Sequence, residues 1–507
     1  MFKWRSTTRK RRQTAVLGAL ALILIILLTA QQHSNREAVP GYYRLSSEST
    51  SSPLGLRSAQ FWKILHQLIL NNDPHCKKKP DLVVPRNPRI AYDPEHAHSR
   101  PDVLWMDGAD VSRMKSAHAN FVKDIRSLPT SLVLLTVLAI SLGMLRKTQC
   151  TLPVEVFLDR PSPRTDEFCA KVFPSLNADC RYFSDIFAEA DTNVKLNTYQ
   201  YKIFSILFSS FEDVLLLDSD AWPVTNPEPL FHSLPFTDSG LVLWPDFWYA
   251  SESPYFFHIA KISSPPTLDA RPATESGEIL YSKSKHCLSI MLATYYNFYG
   301  PEYYYLLQSQ GGPGQGDKET FAWAATALNE EFYFVKQPVR SFGRHDSSGE
   351  YIGTAMIQFD PVNDFFHNAR LPVTLKDPNE VAHPGPVTVA SPPKPLFIHA
   401  NYPKFDPYTI FDDSISAVQT PTRDTNGKLV RCWMPKADAL ETFGVDIEKS
   451  FWETIQETTC VSFAKLWQDG SRPEKHVLEQ LRKRNTQVCE KVKSHYTEVF
   501  GNDLNKS

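Results

Sequence analysis

An α/β fold organised around a nucleotide-binding sheet is what this sequence predicts, and three stretches carry that prediction. Phe211 to Pro223 reads FEDVLLLDSDAWP, where Val214-Leu215-Leu216-Leu217 is the apolar run of a buried central strand. Pro153 to Leu158 has strand character and follows the uncharged stretch Ser131–Leu145; a strand after a helix is the βαβ signal. Asn197 to Ser210 is helical in pattern and leads directly into the apolar run.

The remaining elements follow in chain order. MFKWRSTTRKRRQ is strongly basic, and Ala15 to Leu28 is uncharged and almost wholly aliphatic. Positive charge before one apolar segment predicts a single-pass type II orientation with the body lumenal. Residues 1–13 would be a cytoplasmic tail, 14–30 a transmembrane signal anchor and 31–104 a stem. Residues 105–507 would be the lumenal domain. Thr29-Ala30 also suits a cleavage site, so a signal peptide competes with the anchor; both send the body into the secretory pathway. Within the stem, Phe61, Ile64, Leu65, Leu68 and Ile69 recur at helical spacing, and Pro74 to Pro101 reads as loop. Ser131–Leu145 is too short for most bilayers and reads as a buried helix. Leu241 to Trp244 is a further strand candidate, ending in Pro245-Asp246-Phe247-Trp248.

Composition narrows the function. With 507 residues, 42% of them hydrophobic, the chain can bury a large core, and one large domain fits better than several small ones. A formal net charge of −2 excludes nothing outright but gives no basic footprint for nucleic acid. All eight cysteines lie beyond the apolar segment, where disulfides are permitted. Cys169 and Cys180 are the nearest local pair, and no C-x-x-C spacing suggests zinc.

Asp218 and Asp220, two residues apart at a strand end, can direct their oxygens at one divalent cation. An ion held this way completes its shell with substrate phosphates. The alternative is an acidic turn without a ligand, since an isolated Asp-x-Asp arises readily by chance.

On these stretches the chain resembles the fungal Golgi α-mannosyltransferases of glycosyltransferase family 71. Among them it is most similar to the α-1,2-mannosyltransferases that branch N-glycan mannan. The resemblance rests on Thr151–Leu158, Tyr199–Phe231, Gly240–Trp248, Glu275–Leu280, Tyr295–Tyr305, Gly314–Ala324 and Phe397–Pro407. It implies a GT-A-like fold, a GDP-mannose donor, and Mn²⁺ or another divalent cation. It also implies retaining transfer to a mannose-terminated glycan acceptor, residence in the Golgi membrane and membership of a Golgi mannosyltransferase complex.

Residue by residue, Asp218 and Asp220 would hold the metal and the donor diphosphate, with His399 as third ligand and Lys404 on a phosphate. Asp317 and Glu319 would be the catalytic acids, within Gly314–Thr320. Gly316, Lys318, Glu275, Trp244, Asp246 and Trp248 would bind substrate. Each has a plainer reading: Asp317 as a helix cap with Glu319 as a first-turn charge, His399 as a structural histidine, the tryptophans as core. The chain departs from the family pattern at one place. A Gly-rich strand and loop should precede the helix at Ser131–Leu145, but Ser127-Leu128-Pro129-Thr130 joins the flanks directly. The alternatives are therefore a catalytically impaired lumenal homologue, an α-1,3-mannosyltransferase, or a transferase of another nucleotide sugar. A metal-dependent phosphodiesterase would need more His and Asp ligands than the sequence offers.

Overall fold

The computed structural model describes residues 23–28, 53–84, 90–96, 98–125, 138–197, 199–312, 316–369, 392–401, 403–411, 421–424, 426–466 and 475–501. The strands are β1 (Ile23–Leu28), β2 (Asp81–Leu82), β3 (Leu104–Trp105), β4 (Val154–Leu158), β5 (Ala178–Tyr182), β6 (Asp213–Asp218) and β7 (Ala221–Pro223). After them come β8 (Leu241–Tyr249), β9 (Pro272–Ser282), β10 (Tyr333–Phe334), β11 (Arg340–His345), β12 (Tyr351–Phe359) and β13 (Pro395–His399). A seven-stranded sheet has the order β10-β8-β9-β6-β1-β4-β5, and a four-stranded sheet the order β11-β12-β13-β7.

The large sheet is mixed. β4 and β5 run parallel, as do β8 and β10, whereas β9 is antiparallel to both β6 and β8. The apolar run predicted as a central strand is β6, with Val214 to Leu217 fully buried. The predicted strand at Pro153–Leu158 is β4, and the predicted helix before β6 spans Gln200–Phe208. β8 extends well beyond the predicted Leu241–Trp244. Its register against β9 shifts twice, between Leu243 and Trp244 and between Pro245 and Tyr249. Pro245 lacks the N–H a regular ladder needs, so the strand is irregular there.

Ile23–Leu28 form β1, antiparallel to β4 on one side and β6 on the other. The rest of the expected anchor, and residues 127–130, lie outside the described residues. Among the described residues no helix is long and apolar enough to cross a membrane. An apolar run of this kind suits a strand inside a sheet as well as a spanning segment.

From Pro53 the expected stem is not a free stalk. The helix Pro53–Asn71 buries Trp62 completely among Phe187, Phe204 and Phe208. Further on, Tyr92 donates its backbone N–H to Phe247 at 2.8 Å, and Val103 donates to Gln310 at 2.8 Å. Proline-rich sequence without a period signals loop but does not say whether the loop is anchored. Here side-chain and backbone bonds fasten it to β8 and to the Tyr305–Ser309 helix.

Among the described residues two large apolar cores result, beside a small cluster of Tyr249, Ala250 and Leu268. One surrounds the large sheet; the other gathers Trp222, Phe342, Phe405, Trp433, Phe451 and Trp452 against the small one. The helix Leu138–Lys147 lies between them, with Leu142 in the first core and Met144 in the second. Cys169–Cys180 form the expected local disulfide, and Cys460–Cys489 form another.

Candidate active site

The turn Asp218-Ser219-Asp220 joins the two sheets: Asp218 closes β6, and Ala221 opens β7. β13 pairs with β7 so that His399 lies opposite Ala221. One ligand atom from each of Asp218, Asp220 and His399 falls within 4.8 Å of the others. His399 Nε2 is 3.5 Å from an Asp220 oxygen and 3.8 Å from an Asp218 oxygen, while Nδ1 is 3.4 Å from Glu275. Neither ring nitrogen has a well-aligned hydrogen bond, although the residue is buried. Two carboxylates and an imidazole form a donor set suited to Mn²⁺ or a similar ion. A carboxylate behind the distal ring nitrogen is the arrangement that fixes a metal-bound imidazole.

The imidazole fits because β9 makes room for it. A Cβ on Gly277 would fall 2.4 Å from His399 Nδ1, so a side chain there would displace the ring. Glu275 is held in turn by the backbone N–H groups of Ser276, at 3.0 Å, and Gly277, at 2.8 Å.

Two lysines complete the cluster. Lys202, on the Gln200–Phe208 helix, reaches Asp218 at 2.9 Å and donates to the Ser276 carbonyl at 2.8 Å. Burial works against its charge, but Asp218, Asp317 and Glu275 overcome it and push its pKa up. Lys404 pairs with Asp220. Burial would raise the Asp220 carboxyl, but His399 and Lys404 hold it far below the usual carboxylate range. Burial likewise opposes the charge of Glu275, yet His399, Lys202 and Lys318 bring its pKa down to about 2. Sequence reasoning missed Lys202. The available signal was a lone charge in an otherwise apolar helix, which needs an anion when buried.

Glu278, one strand residue beyond Gly277, is fully buried with both oxygens unpartnered. Desolvation first, then Glu275 and Asp218, push its carboxyl up to about 8. It was not foreseen, because nothing in GEIL marks a buried acid beside others.

The Gly316–Glu319 segment divides by role. Asp317 precedes the helix Lys318–Leu328, but its side chain makes no capping bond; its backbone carbonyl accepts the Thr320 N–H at 2.8 Å. The plain cap reading therefore fails for Asp317. Its carboxyl is buried with Oδ2 unpartnered, and burial, then Asp218 and Glu275, raise it to about 6 against the pull of Lys202. Glu319 is placed differently from the catalytic acid expected. Thr274 N–H and Arg271 Nη2 donate to it at 2.6 and 3.0 Å, so its oxygens hold the start of β9 to the helix. Lys318 is buried and donates to Asp246 at 2.5 Å.

The aromatic platform expected after the Leu241–Trp244 strand falls inside β8 and is not formed as expected. Trp244 is fully buried, donates Nε1–H to the Phe359 carbonyl at 2.9 Å and meets Phe397 edge-on. It belongs to the core, because an apolar strand interior buries both its faces. Trp248 is half-buried where Ala91 bridges to it. Asp246 is buried against Lys318, and burial lifts its carboxyl despite that partner.

The site's geometry can be set beside known proteins. A sequence profile of a mannosyltransferase family, Mannosyl_trans3, matches residues 133–271 and 267–360. The resemblance to fungal α-mannosyltransferases holds. Over 400 residues the chain is 33% identical to Alpha-1,2-mannosyltransferase MNN21 of Candida albicans, covering 68% of this chain and 59% of that protein. It is 32% identical to MNN24 of the same organism over 314 residues, covering 52% and 44%. To Alpha-1,2-mannosyltransferase MNN2 of Saccharomyces cerevisiae it is 31% identical over 375 residues, covering 63% and 61%. The aligned chain thus spans from under half to about three-fifths of the length of these relatives.

Proposed function

We propose that this chain is a metal-dependent α-1,2-mannosyltransferase moving mannose from GDP-mannose, with retention, to a mannose-terminated glycan. The observation that carries the reading is the Asp218–Asp220–His399 cluster, flanked by Lys202 and Lys404, in a chain similar to α-1,2-mannosyltransferases. A divalent cation bound there would stabilise the charge that appears on departing GDP. Asp218, Asp220 and His399 would hold it, and Glu275 would orient the imidazole. Lys404, whose side chain is 55% exposed, would meet a phosphate. Lys202 keeps Asp218 aimed at the site. Asp317, with its free oxygen, would accept a hydrogen bond from a sugar hydroxyl. A GT-A-like arrangement fits a mixed sheet whose acidic turn follows a buried strand.

Full-length protein should transfer mannose from GDP-mannose to an α-mannoside with Mn²⁺ and stop in excess EDTA. Undiminished transfer in EDTA would refute the metal role. A second reading, an impaired homologue, is favoured by the missing Gly-rich segment near residues 127–130. Two or three lost bonds to phosphate, each worth about 1.5–3 kcal/mol, would weaken GDP binding by at least about a hundredfold. Micromolar GDP affinity by calorimetry would exclude that reading.

We also place the protein in the Golgi membrane through an anchor over residues 14–30, within a mannosyltransferase complex. The basic flank before Ala15 supports this. An anchor and β1 need the same residues, Ile23–Leu28. Retention in membranes after alkaline carbonate washing supports the anchor; release supports the strand.

A further inference from the structure

Tyr199 directly precedes the helix that carries Lys202, and the residue is 48% exposed in a molecule that buries most of its aromatics. The Tyr199 and Tyr305 ring centroids lie 5.9 Å apart in a T-shaped contact. Gly316 lies against the ring. A Cβ there would come within 2.8 Å of Tyr199, and its φ of +136° already favours glycine. Tyr199 is therefore held at the point where the chain enters Asp317.

A chain of hydrogen bonds fixes this arrangement. Tyr305 hydroxyl donates to Asn297 at 2.9 Å, and Asn297 Nδ2 donates to Thr320 Oγ1 at 2.8 Å. The Thr320 hydroxyl then donates to the Asp317 carbonyl at 2.5 Å. That chain of bonds ties Tyr305, against which Tyr199 packs, to the backbone of Asp317, whose carboxyl is buried with Oδ2 unpartnered.

An exposed aromatic packed on Gly316, one residue before a carboxyl with an unsatisfied oxygen, suits a pyranose, which offers a C–H face to a ring and hydroxyls to an acid. We propose that Tyr199 and Asp317 form the subsite for the terminal mannose of the acceptor, an inference that rests on the mannosyl-transfer reading. The donor is fixed by its diphosphate at Asp218, Asp220 and His399, so its sugar lies close to the cation. A glycan end arrives from solvent, where the exposed ring waits.

The test uses the full-length chain with α-linked mannobiose, measuring binding by saturation-transfer NMR and kinetics in the transfer assay. Tyr199→Ala should raise both the mannobiose Kd and the acceptor KM at least about tenfold, with GDP–Mn²⁺ affinity unchanged. Tyr199→Phe should stay within about threefold of wild type, because the ring face does the work rather than the hydroxyl. Unchanged acceptor affinity in Tyr199→Ala overturns the subsite. So does an equal loss in GDP-mannose affinity, which would make it a donor wall, or failure of the wild type to bind mannobiose. A wild type that binds mannobiose but transfers nothing overturns the transferase reading and leaves the subsite standing.

Discussion

The seven-stranded and four-stranded sheets meet at the turn Asp218–Ala221, and they are assembled from very different stretches of chain. β6 of the large sheet carries a continuous apolar run, Val214–Leu217, that is fully buried between two partly exposed aspartates. The small sheet joins the β11–β12 hairpin to β13 and to the distant β7, and its core holds a cluster of large aromatics, with Trp222 stacked on Phe451 at 4.5 Å. The two carboxylates come from a local tripeptide, but His399 arrives only when β13 pairs with β7. The candidate metal site therefore lies on the seam between two cores, and forms only if both fold and dock.

The strongest way to break this picture is at the carboxylates. Asp218→Asn removes charge without changing shape, so the fold should survive. Transfer should fall roughly a thousandfold or more, the several kcal/mol of barrier that a lost leaving-group cation costs. A steady-state assay beside a circular-dichroism melt separates the two effects. Transfer at the wild-type rate would mean that the turn is structural.

A smaller effect probes the seam from the β9 side. Gly277→Ala removes no ligand residue but drives a methyl into the His399 imidazole and displaces it. Disturbing the orientation of one ligand costs about 10–100-fold in metal affinity. Mn²⁺ titration followed by electron paramagnetic resonance should show that loss, with the Asp218 and Asp220 sites still intact. Wild-type affinity would place the cation away from His399.

The contrast between the sheets also explains what could be read from the sequence. Strand and helix around Asp218 were legible because the signal is local: an apolar run, a paired acid, a helical period just before. His399 was readable only as an imidazole at a strand end, since nothing in LFIHA states which strand it joins. The roles within Gly314–Thr320 were not separable by spacing. Asp317 and Glu319 have the same chemistry, and only Thr274 of β9 and Arg271 just before it show that Glu319 is engaged. Trp244 illustrates the converse. An aromatic at the end of a predicted strand reads as a platform until the strand continues and buries it. The helical spacing of Phe61–Ile69 suited a helix packed on the body, which the structure shows, but did not single out Trp62 as the residue that anchors it in the main core.

The mildest prediction asks whether the small sheet's core has a stability of its own, apart from the site. His495, on the helix Lys475–Phe500, lies 4.0 Å from the Trp452 ring, with Phe411 and Phe500 beside it. Nε2 faces the Val430 carbonyl at 3.3 Å, and Nδ1 is unpartnered. Burial lowers its pKa to about 4, the Val430 carbonyl resists the shift, and Arg423 adds to it. In the unfolded chain the same histidine takes its proton near pH ~6.5. Between those values the unfolded state binds the proton and the folded state does not. Stability is therefore complete above about pH 6.5, and declines as pH falls toward 4 by about 1.4 kcal/mol per unit. His495→Phe cannot take up the proton. Whatever its offset at pH 7, the wild type should lose about 2 kcal/mol more than this variant by pH 5, measured by urea unfolding. Parallel pH profiles would show that His495 can protonate within the fold, and that the aromatic core around it is open rather than closed.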